Sequence, residues 1–313
     1  MANESVIRKE YSVVLEGVDA HDLSIAMLRD LCDLLAEGAQ RSARLVAEGR
    51  SVARGTVPSW ISSAADVRVS RFERGSLDLG VRAVSLVDAA PEIFAQQQLF
   101  PVGTDASATA MDLFLDAADD ATNGRRESER LDTGVLEVLS RAGNLFSRGC
   151  TRLSISRSGT HSVVIDPTNA ATIRALADAT PPSRVARVAG VLDSLTVSTQ
   201  LMGLRLADGH ILRGYAGDVG IDKLRSLLGH SVVLEGITTF RPSGDALRMQ
   251  VESAALATSG DVIWERLPHV DAVLAKSRAT VAPSGLDAFF GKWPGDETDR
   301  ELAAALQDEK DLS

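Results

Sequence analysis

Aromatic residues and cysteines are both scarce in this chain of 313 residues. Aromatic side chains make up 4% of the sequence, so the core has to be built mainly from aliphatic residues. Two cysteines, Cys32 and Cys150, are too few for a disulfide framework or a four-cysteine zinc site. The sequence also lacks a signal peptide and any run of roughly 20 apolar residues that would span a membrane. We therefore expect a cytoplasmic protein that makes no membrane contact.

The charge balance and the residue types also limit the functions that the sequence supports. The formal net charge is −10, which argues against a general polyanion binder because nonspecific nucleic-acid affinity comes from neutralising phosphates with Lys and Arg. The five histidines are scattered, and none has a partner at metal-ligand spacing. No Gly-x-Ser-x-Gly nucleophile elbow is present. We predict a protein that is not an enzyme and that needs neither a cofactor nor a metal ion.

The apolar pattern predicts an α+β protein that begins with a mixed helix-and-strand domain over residues 1–180. Strands and helices follow one another there without the regularity of βαβ units. Leu28, Leu31 and Leu35 lie on one stripe of a long amphipathic helix. A later predicted helix carries a cluster of carboxylates that we expect to form a solvated face: Asp116, Asp119 and Asp120.

Residues 183–257 predict a small five-stranded β-barrel. The expected order is three strands, a short helix and two further strands, at 185–197, 203–206, 210–215, 221–228, 231–240 and 246–254. Asp208-Gly209, between two apolar runs, is a strong signal for a two-residue hairpin turn. This order is that of the OB-fold, a Greek-key barrel, and an SH3-like barrel is the alternative.

The predicted barrel contains residues that single-stranded nucleic acid binding would use. OB-folds commonly bind such strands through basic grooves with aromatic stacking platforms. The candidates are Arg205, Arg213, Tyr215, Phe240 and Arg241. Acidic residues nearly cancel the positive charge of the barrel, and an aromatic residue on a strand more often belongs to the core. A structural or protein-docking role is therefore favoured for the barrel, and nucleic-acid binding is the alternative.

Residues 258–285 have the composition of a linker, in which the apolar residues 262–264 are expected to dock back onto the barrel. Residues 286–313 are predicted to form a helical tail. Large apolar side chains recur there at the spacing of one helix face: Leu286, Phe289, Phe290 and Trp293. A second short helix is predicted from the capping-box spacing of Thr298 and Glu301, with Leu302 and Leu306 one turn apart. Two helices this short are not stable alone in water. They must pack on the chain's own domains or lie in a groove of another protein.

The segment at 291–302, Gly-Lys-Trp-Pro-Gly-Asp-Glu-Thr-Asp-Arg-Glu-Leu, resembles the Trp-x-Gly-Asp-Glu tails of bacterial antitoxins that are paired with PIN-domain ribonuclease toxins. The resemblance implies a tail that wraps a co-encoded toxin and blocks its active site. Two larger domains stand where such antitoxins have a small DNA-binding head. The resemblance implies these partner-binding residues: Leu286, Phe289, Phe290, Lys292, Trp293, Pro294, Glu297, Arg300, Leu302 and Leu306.

Overall fold

The structure is a computed structural model that describes residues 8–19, 23–52, 56–73, 77–91, 105, 107–157, 162–197, 200–217 and 219–270. The chain divides into two units, residues 1–272 and residues 273–313, and every described residue belongs to the first. The predicted tail at 286–313, with all of its partner-binding residues, lies outside the described residues. So does the part of the predicted linker that follows residue 270.

A five-stranded antiparallel sheet with helices packed on it forms the first part of the chain. The strands are β1 (Arg8–Glu16), β2 (Arg68–Glu73), β3 (Leu77–Val84), β4 (Arg152–Arg157) and β5 (Ser162–Ile165), in the spatial order β2-β3-β1-β4-β5. The helices are α1 (Ile25–Glu48), α2 (Ser59–Ala64), α3 (Leu86–Ala89), α4 (Ala110–Thr122), α5 (Thr133–Ser140), α6 (Ala142–Ser147) and α7 (Pro167–Ala179). These elements make the first part α+β, as the sequence predicted.

The core of this part lies between one face of the sheet and the two long helices α1 and α4. On β1 the side chains of Tyr11, Val13 and Leu15 are buried, while the residues between them face outward. This alternation is expected of a sheet that is covered on one side only. Helices α1 and α4 meet closely because Gly38 faces Phe114, and a Cβ atom added at Gly38 would overlap the buried aromatic ring.

Residues 184–256 form a closed five-stranded barrel, which confirms the prediction of a small β-barrel. Its strands are β6 (Arg184–Thr196), β7 (Leu201–Arg205), β8 (Ile211–Ala216), β9 (Ser231–Phe240) and β10 (Ala246–Leu256), and α8 (Ile221–Ser226) lies between β8 and β9. The barrel closes in the order β10-β8-β7-β6-β9. Strands β8 and β10 are parallel and all other neighbours are antiparallel. Gly236 allows a tight bend, since any side chain there would overlap the backbone of Gln250.

A 3-10 helix, Ser259–Trp264, follows the barrel. The first part and the barrel are joined through Pro181 and Pro182, and they also contact each other through the C-terminal end of α1 and through the loop after α4. Among the described helices, none combines the length and the apolar character that crossing a membrane requires.

Candidate functional site

A cleft of about 1010 Å³ opens between helix α4, the loop that follows it, and the barrel strands β8 and β10. We call this loop, residues 123–132, the charged loop because most of its side chains carry a charge. The cleft is lined by cations and carboxylates in nearly equal number. Ion pairs therefore dominate its chemistry, and the pairing of each charge decides what the cleft can bind.

Asp112 is a buried carboxylate on the wall of the cleft, with 4% of its surface exposed. It stands near the start of α4, where it forms a reciprocal capping box with Thr109. Tyr11 Oη donates a hydrogen bond to it at 2.6 Å, and Lys9 Nζ donates another at 3.0 Å. Arg157 Nε lies 2.6 Å from Oδ1, the oxygen that also accepts from Tyr11, as an ion pair without hydrogen-bond alignment. Both oxygens of the carboxylate are thus engaged.

The contacts of Asp112 keep it ionised. Burial by itself would raise its pKa, but the hydrogen bonds from Tyr11, from the backbone of Thr109 and from Lys9 outweigh burial and lower the pKa. Burial and the adjacent carboxylate raise the pKa of Tyr11. Asp112 is therefore an ionised anchor of the fold, and its lone pairs are already used by protein donors.

Asp120 organises the charged loop from the far end of α4. Its carboxylate accepts hydrogen bonds from Arg125 Nη1 at 2.5 Å, Ser128 Oγ at 2.6 Å and Arg130 Nη1 at 3.1 Å. Burial would raise the pKa of Asp120, but these three donors lower it. The expectation of a solvated carboxylate face is therefore wrong for Asp120, because the loop that follows the helix folds back over it and buries it.

The charged loop folds over Asp120 and also contacts the barrel. Arg126 Nη2 donates a hydrogen bond to the carbonyl oxygen of Pro242 at 3.2 Å. The Glu129 carboxylate lies 3.3 Å from Arg213 and 3.4 Å from Arg241, so one acidic residue bridges two barrel arginines. These contacts tie residues that are distant in sequence into one charged surface around the cleft.

The basic residues predicted for nucleic-acid binding are all paired with carboxylates. Arg213 and Arg241 share Glu129, as described above. Arg205 pairs instead with Asp193 at 3.1 Å. A phosphate backbone would have to displace a carboxylate at each of these three arginines.

The two aromatic candidates on the barrel are differently placed. Phe240 is 1% exposed and belongs to the barrel core, with the guanidinium of Arg184 5.9 Å from its ring centroid. The expectation that it can stack on a base is therefore corrected, because the ring has no free face. Tyr215 is half-buried, and the Arg50 guanidinium lies over its ring at 5.4 Å. Burial raises the pKa of Tyr215 to about 12.

The apolar residues 262–264 contact the barrel as expected, but only in part. The Arg187 guanidinium lies 6.0 Å from the ring centroid of Trp264, which places this ring against strand β6. Ile263 is 72% exposed and Val262 is 60% exposed. Trp264 is thus the docked residue of this segment, and its two neighbours face outward.

Among the residues that the structure describes, no three His, Cys, Asp or Glu side chains are grouped so that they would hold a metal ion. No family model, curated protein or solved structure matches this chain.

Sequence reasoning missed the roles of Asp112 and Asp120. The Thr109-x-x-Asp112 spacing is a capping signal that could have placed Asp112 at a helix start. No helix or strand periodicity marks Asp120, because its partners Arg125, Ser128 and Arg130 lie in an irregular loop.

Proposed function

We propose that this protein is a non-catalytic partner-binding protein of the antitoxin kind, which neutralises a co-encoded PIN-type ribonuclease through residues 286–313. The observation that carries the proposal is the sequence at 291–302, with its Trp-x-Gly-Asp-Glu pattern. The apolar stripe of residues 286–293 supports the proposal, because helices this short become stable only when they pack against another surface.

The charge pairing of the described residues supports a protein partner more than a nucleic acid. Arg205, Arg213 and Arg241 each face a carboxylate within 3.4 Å. Nucleic-acid affinity arises when free cations replace the counterions of the phosphates. Cations that are already paired add little to that affinity, and the net charge of −10 opposes it further.

The proposed mechanism is occlusion of the ribonuclease active site. Phe289, Phe290 and Trp293 act as buried anchors, because large aromatic side chains commonly carry most of the energy of an interface. Lys292 and Arg300 reach the acidic residues that hold the metal of a PIN-type active site and compete with that metal. Alternatively, Glu297 and its acidic neighbours pair with the basic rim that binds RNA.

Co-expression with the product of the adjacent reading frame tests this function. Full-length chain is expected to copurify with that product and to suppress its ribonuclease activity, whereas chain ending at Gly285 is expected to do neither. The triple variant Phe289→Ala/Phe290→Ala/Trp293→Ala keeps the full length of the chain but removes the three aromatic anchors. It therefore tests whether these side chains, and not the length of the tail, are needed. The matched control is Val262→Ala/Ile263→Ala, which removes exposed apolar side chains just upstream. Suppression by the truncated chain would refute the proposal.

The alternative is an OB-fold nucleic-acid-binding accessory protein. The strand order of the barrel supports an OB-fold assignment, with the parallel pair between β8 and β10 and a helix between the third and fourth strands. Salt-dependent binding of a single-stranded oligonucleotide that is lost in Arg213→Ala or Arg241→Ala would favour this alternative. Absence of binding at low salt would eliminate it.

A further inference from the structure

Three arginines converge where the barrel meets the charged loop. Arg213 on β8 and Arg248 on β10 are direct partners in the register of the parallel pair, so their side chains leave the sheet side by side. Arg241 follows the end of β9, and its charge also acts on Arg248. Like charges opposite each other on neighbouring strands are destabilising unless an anion lies between them.

Arg248 is the buried member of this group, and among the residues that the structure describes none forms a hydrogen bond or an ion pair with its side chain. It is 6% exposed, and no described carboxylate lies within ion-pair distance of its guanidinium. Its Nε is buried without a hydrogen-bond acceptor. The aliphatic part of its side chain packs on Gly49 at the C-terminal end of α1, where an added Cβ atom would overlap it. Burying an uncompensated charge costs several kcal/mol. Stability therefore does not explain an arginine at position 248.

The charged groups around Arg248 also leave its positive charge uncompensated. Burial lowers the pKa of Arg248, and the charges of Arg213 and Arg241 lower it further, whereas Glu129 raises it. Two neighbouring positive charges and one negative charge therefore act on the Arg248 guanidinium.

Two carboxylates of the charged loop pair with these arginines, but their N–O distances are long. Glu129 lies 3.3 Å from Arg213 and 3.4 Å from Arg241, and Glu127 lies 3.7 Å from Arg241. Well-formed ion pairs with arginine have N–O distances of about 2.7–2.9 Å. The side chains of Glu127 and Glu129 are also 68% and 53% exposed, so either can swing into solvent at little cost.

There is space for a ligand at this point. All three arginines line a small cavity of about 130 Å³, together with the carboxylates of Glu127, Glu129 and Asp245. Asp245 is paired with His269 at 2.8 Å. Arg213 and Arg248 also line the cleft of about 1010 Å³. The small cavity and the cleft share Glu127, Glu129, Arg213 and Arg248 as lining residues, so a phosphate group in the small cavity would lie beside the cleft. Guanidinium groups suit this ligand because their forked N–H donors match phosphate oxygens.

We propose that Arg213, Arg241 and Arg248 form a binding site for the phosphate group of a small ligand such as a nucleotide. Glu129 acts as an internal substitute for that phosphate and is displaced when the ligand binds. This site is independent of the proposed antitoxin function, because the residues assigned to it all lie outside the segment 286–313.

Titration of the full chain with pyrophosphate, with ADP and with sodium chloride at matched ionic strength tests the site by calorimetry. Wild-type protein is expected to bind pyrophosphate or ADP, and Arg248→Met is expected to weaken binding by about tenfold or more, equivalent to about 1.4 kcal/mol. Arg205→Met is the matched control, since Arg205 lies on the barrel but pairs with Asp193. Its affinity should stay within about twofold of wild type.

The substitution Glu129→Gln should change the affinity for phosphate in the direction opposite to Arg248→Met. Removing the competing carboxylate should tighten phosphate binding, whereas a purely structural role for Glu129 would leave affinity unchanged or reduce it. Arg248→Met should fold, because the methionine leaves no carboxylate without its partner; circular dichroism checks this.

Three results would overturn the proposal: no binding of pyrophosphate or ADP by wild type, undiminished binding by Arg248→Met, or unchanged or weaker binding by Glu129→Gln. A 5′-phosphorylated oligonucleotide forms a further arm of the titration. If it alone binds in an Arg248-dependent way, the assignment of a small ligand is wrong and the phosphate belongs to a nucleic acid.

Discussion

Replacing Asp112 with asparagine should destabilise the α+β part by about 3 kcal/mol, at the low end of what breaking a buried ion pair costs. Three hydrogen-bond donors and one ion-pair partner surround this carboxylate. Tyr11 Oη, the Thr109 amide and Lys9 Nζ donate to it, and Arg157 Nε lies 2.6 Å from it. Asparagine keeps one acceptor oxygen and turns an NH₂ group toward donors that it cannot satisfy.

The size of the effect follows from the exposure of the partners. Hydrogen bonds to a charged group contribute about 1.5–3 kcal/mol each, and Tyr11 and the Thr109 amide are buried and cannot turn to water. The side chains of Lys9 and Arg157 are each 31% exposed. Because Lys9 and Arg157 can bind water when the carboxylate charge is removed, we count only part of their contribution to the free energy of unfolding.

Urea denaturation followed by circular dichroism measures the change in the free energy of unfolding. Asp116→Asn is the matched control. Asp116 lies one turn further along α4 with a 40% exposed side chain, and it is 3.6 Å from Arg157. We expect it to cost about 0.5 kcal/mol or less. A loss below about 1 kcal/mol for Asp112→Asn would refute the reasoning that the buried charge is an anchor.

The pH dependence of this difference is a second readout. The pKa of Asp112 in the folded protein is below its ordinary value of 3.8. A lowered folded pKa contributes stability that is complete above the unfolded pKa and disappears as the pH falls through the folded pKa. The gap between wild type and Asp112→Asn should therefore be constant from about pH 7 to pH 5 and should shrink below about pH 4.

Three further substitutions have expected outcomes. Gly38→Ala gains about 1 kcal/mol of helix propensity but overlaps the buried Phe114 ring, so urea melts should show a net loss of about 1–2 kcal/mol; stabilisation would contradict the packing. Arg50→Ala uncovers the Tyr215 ring and should cost about 1 kcal/mol in the same assay; no loss would mean that the cation–π contact is not stabilising. Asp120→Asn should speed tryptic cleavage in the charged loop, and an unchanged rate would show that Asp120 does not hold it.

The barrel strands and the helix starts were set by local sequence. Strand β9 begins and ends where its apolar pattern predicts, at Ser231–Phe240. Gly209 adopts a left-handed φ of 87°, but the predicted two-residue turn is wrong: Leu206 pairs with His210, so the loop has three residues, 207–209, and ends on Gly209. Asp166 caps α7 through the Asn169 amide. These features depend on residues a few positions apart, so the sequence alone determines them.

The chemistry of the cleft was decided only by the tertiary structure. Asp120 is buried because a loop that also holds the barrel folds over it. Arg213 and Arg248 become neighbours only when the barrel closes through the parallel pairing of β8 and β10. The burial of a charge and the identity of its neighbours depend on which distant segments pack together, and no local periodicity records that packing.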